Sequence, residues 1–182
     1  MRADDVQPTR IALLIIAAVL AIALAVIEAL AAPEEPGPWA AHLQRLDEAL
    51  RRNDTALADR AWQDAYVAAL GSGRWEGMLA VGDAALRANT ATRGRAISRA
   101  RARHAYLAAL FRARDHRSLE GMVYVGDVFA GLGDTGLAIY CVRLAEPLAE
   151  ESPASAGARR LRALRDRLGE RLTDRGTSGT MP

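Results

Sequence analysis

There is no lysine in this chain, a single cysteine, three histidines and few aromatic residues, 5% of the total. With one cysteine no intramolecular disulfide can form, so Cys141 is expected as a small buried apolar residue, an intermolecular bridge being the alternative. His42, His104 and His116 stand too far apart in sequence to make a metal motif. No segment alternates apolar and polar residues as a half-buried strand would, which leaves helices. There is no glycine-rich phosphate loop after a strand, no GxSxG, and no cysteine beside a plausible base. The sequence therefore nominates no catalytic residue, no metal ligand and no cofactor, and an enzyme is not expected. The apolar content is 51%, much of it alanine, which predicts helices that approach closely and bury modest area each.

Long apolar runs are also scarce, with one exception. Ile11 to Ile27 is unbroken, and the run resumes after Glu28 until Pro33 ends it. The stretch 11–32 is long enough to cross a bilayer core of about 30 Å. Arg2 and Arg10 precede it, and the other flank opens with Glu34 and Glu35, so the positive-inside rule puts residues 1–10 in the cytoplasm and the bulk of the chain outside. The expectation is a single-pass anchor in a bacterial inner membrane with a periplasmic C-terminal domain. A cleaved signal peptide, leaving a soluble periplasmic protein, is the alternative, since Ala29, Leu30 and Ala31 fit an AxA site.

The formal net charge of +2 conceals segregation. Glu34 to Asp83 carries five arginines against nine acids, and Arg93 to Arg117 eight against one. Ser118 to Pro153 carries one against six, and Arg159 to Arg175 seven against three. Successive blocks could neutralise one another, or a partner could read one of them. The basic stretches lack interleaved aromatics, so nucleic acid is not an expected partner; nor is a small-molecule ligand.

What is present is a phrase said twice. Ala65 to Leu70 reads AYVAAL and is followed by EGMLAVGD at Glu76 to Asp83; Ala105 to Leu110 reads AYLAAL and is followed by EGMVYVGD at Glu120 to Asp127. Order is kept while the spacer grows, as in a repeat that accepts insertions in turns and not in packed elements. Leu43, Leu46 and Leu50 share a helical face, as do Met78, Val81 and Ala85, and Met122, Val125 and Phe129. Turn residues fall at Asn53 and Asp54, Gly71 to Gly73, Asn89 and Thr90, Asp115 to Ser118, and Gly133 and Asp134, with Asn and Gly suited to left-handed helix ends and Asp, Ser and Thr to the next start. Three hairpins are predicted: 39–52 with 55–70, 74–88 with 95–113, and 118–132 with 135–149.

The third of these resembles a tetratricopeptide repeat. Val125, Gly126, Phe129, Gly133, Asp134, Ala138, Ile139 and Ala145 stand at the spacings of that motif, whereas Met122 replaces its tryptophan, Val142 its late aromatic, and the closing proline is displaced to Pro147 or Pro153. Ala58 and Ala65 make the first hairpin similar, and the middle one needs about four extra residues before Ser98 and Ala105 fall into phase. Turns at 53, 89 and 133 compare with a family period of about 34. The resemblance implies an all-α fold: a short right-handed solenoid of about three hairpins over 39–153, after a linker at 33–38. Leu161, Leu164, Leu168 and Leu172 predict a basic capping helix over 154–175, with contact to anionic lipid as its alternative role. Residues 176–182 are expected as a disordered tail.

In such stacks the first helix of each hairpin lines a concave groove. The phase puts Asp47, Asp83 and Asp127 at equivalent groove positions, with Glu76 and Glu120 seven residues before the last two and nearly above them on the helix. These acids could form a solvated face, pair with arginines, or receive a basic segment of another protein, a bridging cation being more remote. The leading expectation is a membrane-anchored, periplasm-facing adaptor that docks a partner protein during assembly or maturation of an envelope or exported complex. The alternatives are an integral structural subunit of a membrane complex and an accessory factor for a periplasmic metalloenzyme.

Overall fold

The computed structural model describes residues 37–93 and 97–177. The apolar run at 11–32, on which the membrane expectation falls, lies outside the described residues, as do most of the linker and of the expected tail. No helix among the described residues is long and apolar enough to cross a membrane.

Seven helices follow one another, with no strand among the described residues: α1 (Ala40–Arg51), α2 (Thr55–Ser72), α3 (Trp75–Thr92), α4 (Arg99–Asp115), α5 (Leu119–Leu132), α6 (Thr135–Glu151) and α7 (Ala156–Thr177). The chain is all-α here, as its apolar period predicts. Three of the turns use one device. Asn53, Arg117 and Gly133 take left-handed backbone (φ 55°, 53° and 85°). The next amide, of Asp54, Ser118 or Asp134, reaches back to the carbonyl of Ala49, Ala113 or Phe129. That pattern satisfies orphan carbonyls at a helix end. Two of the residues that follow also start the next helix: Asp54 accepts from the Leu57 amide at 2.9 Å and Ser118 from that of Gly121 at 3.1 Å.

The turn expected at Asn89 and Thr90 is not there. α3 runs on to Thr92, and the left-handed residue is Arg93 (φ 53°). The Thr90 and Thr92 hydroxyls donate to the Leu86 and Ala88 carbonyls within the helix, and the Asn89 amide side chain donates to the Ile97 carbonyl at 2.9 Å, clasping the connection to α4. The extra residues of the middle hairpin thus lengthen a helix. At the other end, Pro147 lies inside α6, which extends to Glu151.

Each helix packs on the next in sequence, and α1 also meets α3, α3 meets α5, and α5 meets α7. Odd-numbered helices therefore touch in succession while the even ones fill in between. The seams are small: Ala58, Ala65, Ala69, Ala85, Ala105, Ala109, Ala138 and Ala145 are fully buried. Two glycines of the doubled phrase are places of close approach. A Cβ at Gly82 would stand 2.6 Å from the Tyr106 ring, and one at Gly126 2.8 Å from Leu164 and 3.1 Å from the Cys141 Cβ. The two copies of AYxAAL have different fates, since Tyr106 and Leu110 are fully buried whereas Tyr66 is half-buried and Leu70 is 46% exposed. At the end of α2 the Arg112 guanidinium, projecting from α4, donates to the Ala69 and Leu70 carbonyls at 2.9 and 2.6 Å, capping one hairpin from the next.

Candidate functional site

The five acids read from the sequence lie along the odd-numbered helices, each beside a donor. Asp47 faces Arg87 at 3.5 Å, from α1 to α3. Glu120 pairs with Arg160 at 3.2 Å and Asp127 pairs with Arg167, both from α5 to α7 and both 40 residues apart. Glu76 pairs at 3.5 Å with Arg74, whose guanidinium also lies 5.8 Å from the centre of the Trp39 ring. Asp83 differs. Its carboxylate accepts from the Tyr106 hydroxyl at 2.7 Å and from the Tyr124 hydroxyl at 3.4 Å, with no arginine in ion-pair distance among the described residues.

The elements explain these pairings. The sevenfold spacing of Glu120 and Asp127 is repeated by Arg160 and Arg167 on α7, so two rungs form at once when α7 takes the place of a further first helix. With that forty-residue offset, the positions held on α5 by buried Met122, Val125 and Phe129 are held on α7 by exposed Arg162, Arg165 and Gly169. The apolar face that would recruit an eighth helix is polar, as a terminal unit requires. The register of the acids and pairing with arginines are both expected from the sequence, but which arginine each acid meets is not. The shared sevenfold spacing on α7 was the available signal for the arginines. For Tyr106 there was none, because its copy Tyr66 carries the same local text.

Tyr106 is the pivot of the centre. Its ring is fully buried beside Gly82 and meets Phe129 edge-on with centroids 6.3 Å apart, so its hydroxyl is delivered to Asp83 by a rigid wall. Burial, then the hydrogen bond to Asp83 and that carboxylate's charge, push the phenol well above the usual tyrosine range. Tyr124, 44% exposed, is pushed up chiefly by the Asp83 charge and then by burial. The result is a half-buried carboxylate with an exposed aromatic beside it. On the neighbouring stretch Glu120, Val123, Tyr124, Asp127 and Arg160 line a cleft of about 250 Å³.

Elsewhere, His42 lies 3.9 Å from Asp64, His104 edges a hollow of about 290 Å³ with Trp62 and Tyr66, and His116 ends α4. No group of three potential ligands could hold a metal ion among the described residues. Cys141 is fully buried, and burial pushes its thiol up to about 12. It should therefore resist iodoacetamide at pH 8 in the folded protein and be alkylated only as denaturant unfolds the chain. Quantitative labelling under native conditions would contradict the burial.

No family model matches the chain, and no curated protein or solved structure gives a significant match.

Proposed function

We propose that this chain is a membrane-anchored, periplasm-facing helical-repeat adaptor, related in plan to tetratricopeptide stacks, that docks a basic segment of a partner protein during assembly of an envelope or exported complex. The apolar run from Ile11 to Ala32 with its arginine flank supports the anchor and its orientation. The succession of odd-helix contacts supports the solenoid. The observation that carries docking is Asp83. The other four acids are engaged by arginines, while this one is held only by tyrosine hydroxyls, half-buried, with the ring of Tyr124 exposed next to it. A carboxylate beside an aromatic face suits an arginine or lysine, by charge-assisted hydrogen bonding and cation–π contact.

A photo-crosslinking residue in place of Tyr124, activated in native membranes, should give a discrete protein adduct. Asp83→Asn, whose one amide oxygen can still accept from the Tyr106 hydroxyl while the charge is removed, should diminish that adduct at least several-fold without altering helicity. Absence of an adduct, or one indifferent to Asp83→Asn, would remove the docking role. A reporter joined after Pro182 that works only when exported should be active, and inactivity would reverse the orientation.

A further inference from the structure

We propose that the groove between α6 and α7 is an interface for a second copy of this chain, joined about a twofold axis running parallel to the two helices. This surface is separate from Asp83, and the proposal does not depend on the docking function. Two contiguous hollows, about 230 and 320 Å³, run along the groove and share Glu146 and Arg165. At one end the charge is divided by wall, α6 contributing Glu146 and Glu150 and α7 contributing Arg162 and Arg165. At the other, Ile139 and Leu172 offer apolar surface beside Arg143 of α6, with Leu172 48% exposed.

On the odd-helix face the acids and arginines of α5 and α7 join across helices. Here they do not. None of Glu146, Glu150, Arg162 and Arg165 makes an ion pair among the described residues, and Arg162 reaches only the Pro153 carbonyl at 3.4 Å. Acid on one wall and base on the other, at the same height, make this end of the groove complementary to itself. A twofold axis parallel to the helices lays α6 of one copy over α7 of its partner with both turns at the same end. The acidic wall of each then meets the basic wall of the other, as an isologous interface demands. An acidic or a basic foreign helix would satisfy only one wall. The polar positions Arg162 and Arg165, which keep an eighth helix of the same chain away, are the ones such a pairing would use.

The test is a charge exchange in the full chain, purified in mild detergent and followed by sedimentation. The wild type should be dimeric at micromolar concentration and dissociate as salt rises. Glu146→Arg with Glu150→Arg, and separately Arg162→Glu with Arg165→Glu, should each raise the dimer Kd about tenfold or more, because like charges then oppose in both halves of the interface. An equimolar mixture of the two variants should restore a dimer, now a heterodimer in which every opposed pair is again opposite in sign. Leu172→Glu, a single exposed change on α7, should also dissociate the wild type. Far-ultraviolet circular dichroism confirms that each variant is helical. A monomeric wild type at tens of micromolar, dimers unaffected by the reversals, or a mixture of helical variants that stays monomeric would each overturn the proposal.

Discussion

Gly82→Ala should lower the stability of the folded chain by about 1–3 kcal/mol, although alanine favours an ordinary helix interior by about 1 kcal/mol over glycine. The new Cβ would stand 2.6, 2.8 and 2.9 Å from three atoms of the Tyr106 ring. The ring has nowhere to go, being fully buried, set edge-on against Phe129, and fastened at its far end to Asp83. Gly131, also in a helix, would meet nothing within 4 Å, so Gly131→Ala should be neutral or slightly stabilising and serves as the control for propensity. Shrinking the obstacle should rescue the defect: Tyr106→Leu in the Gly82→Ala background should cost less than the sum of the two single changes. Urea denaturation of the wild type, the three single variants and the double variant measures this, and a Gly82→Ala chain at least as stable as wild type would show that the seam is looser than described.

Tyr106 itself should be more sensitive still. Tyr106→Ala empties the centre of the stack and should cost about 3–5 kcal/mol, the usual range for losing a buried aromatic. Tyr106→Phe keeps the ring and isolates the polar part: Asp83 retains only the 3.4 Å bond to Tyr124, and the loss should be about 1–3 kcal/mol. The same residue predicts a pH dependence. Burial first, then Asp83, hold the folded phenol above its ordinary range, whereas the unfolded phenol ionises near pH 10. The contribution of this group is complete below about pH 10 and is lost progressively as the pH rises further, because only the unfolded chain releases the proton. Tyr124 adds a smaller effect of the same sign, being more exposed. Denaturation midpoints from pH 8 to 11 should fall for the wild type and fall less steeply for Tyr106→Phe, and parallel slopes would assign the alkaline weakness to other groups.

The helices were legible because they are written locally. Leu46, Met78, Val81, Met122, Val125 and Phe129, read as face residues, are all buried, and Asn53, Gly73 and Gly133 are all left-handed. The helix end misplaced at Asn89 follows from threonines whose hydroxyls found acceptors inside the helix and an asparagine that ties down the following loop, and the next helix, expected from 95, begins only at Arg99, where the Ser98 side chain caps it. The candidate site was legible only in part. The register of Asp47, Asp83 and Asp127 could be read from the turns, but which of them would meet an arginine depends on side chains some forty residues away. Two tyrosines separate Asp83 from the rest, and the copy of Tyr106 at Tyr66 is only half-buried although the local text is the same.

The added turn of α3 says something about how such a chain can change over generations. Its surplus residues sit beyond Ala85 and Ala88, at the far end of a helix whose earlier part keeps the same seam residues as its counterpart α5. A mismatch in unit length has been pushed to an extremity and tied off by one asparagine, leaving the joints between units with unchanged tolerances. A gain or loss of residues at that extremity would therefore leave the doubled phrase in register.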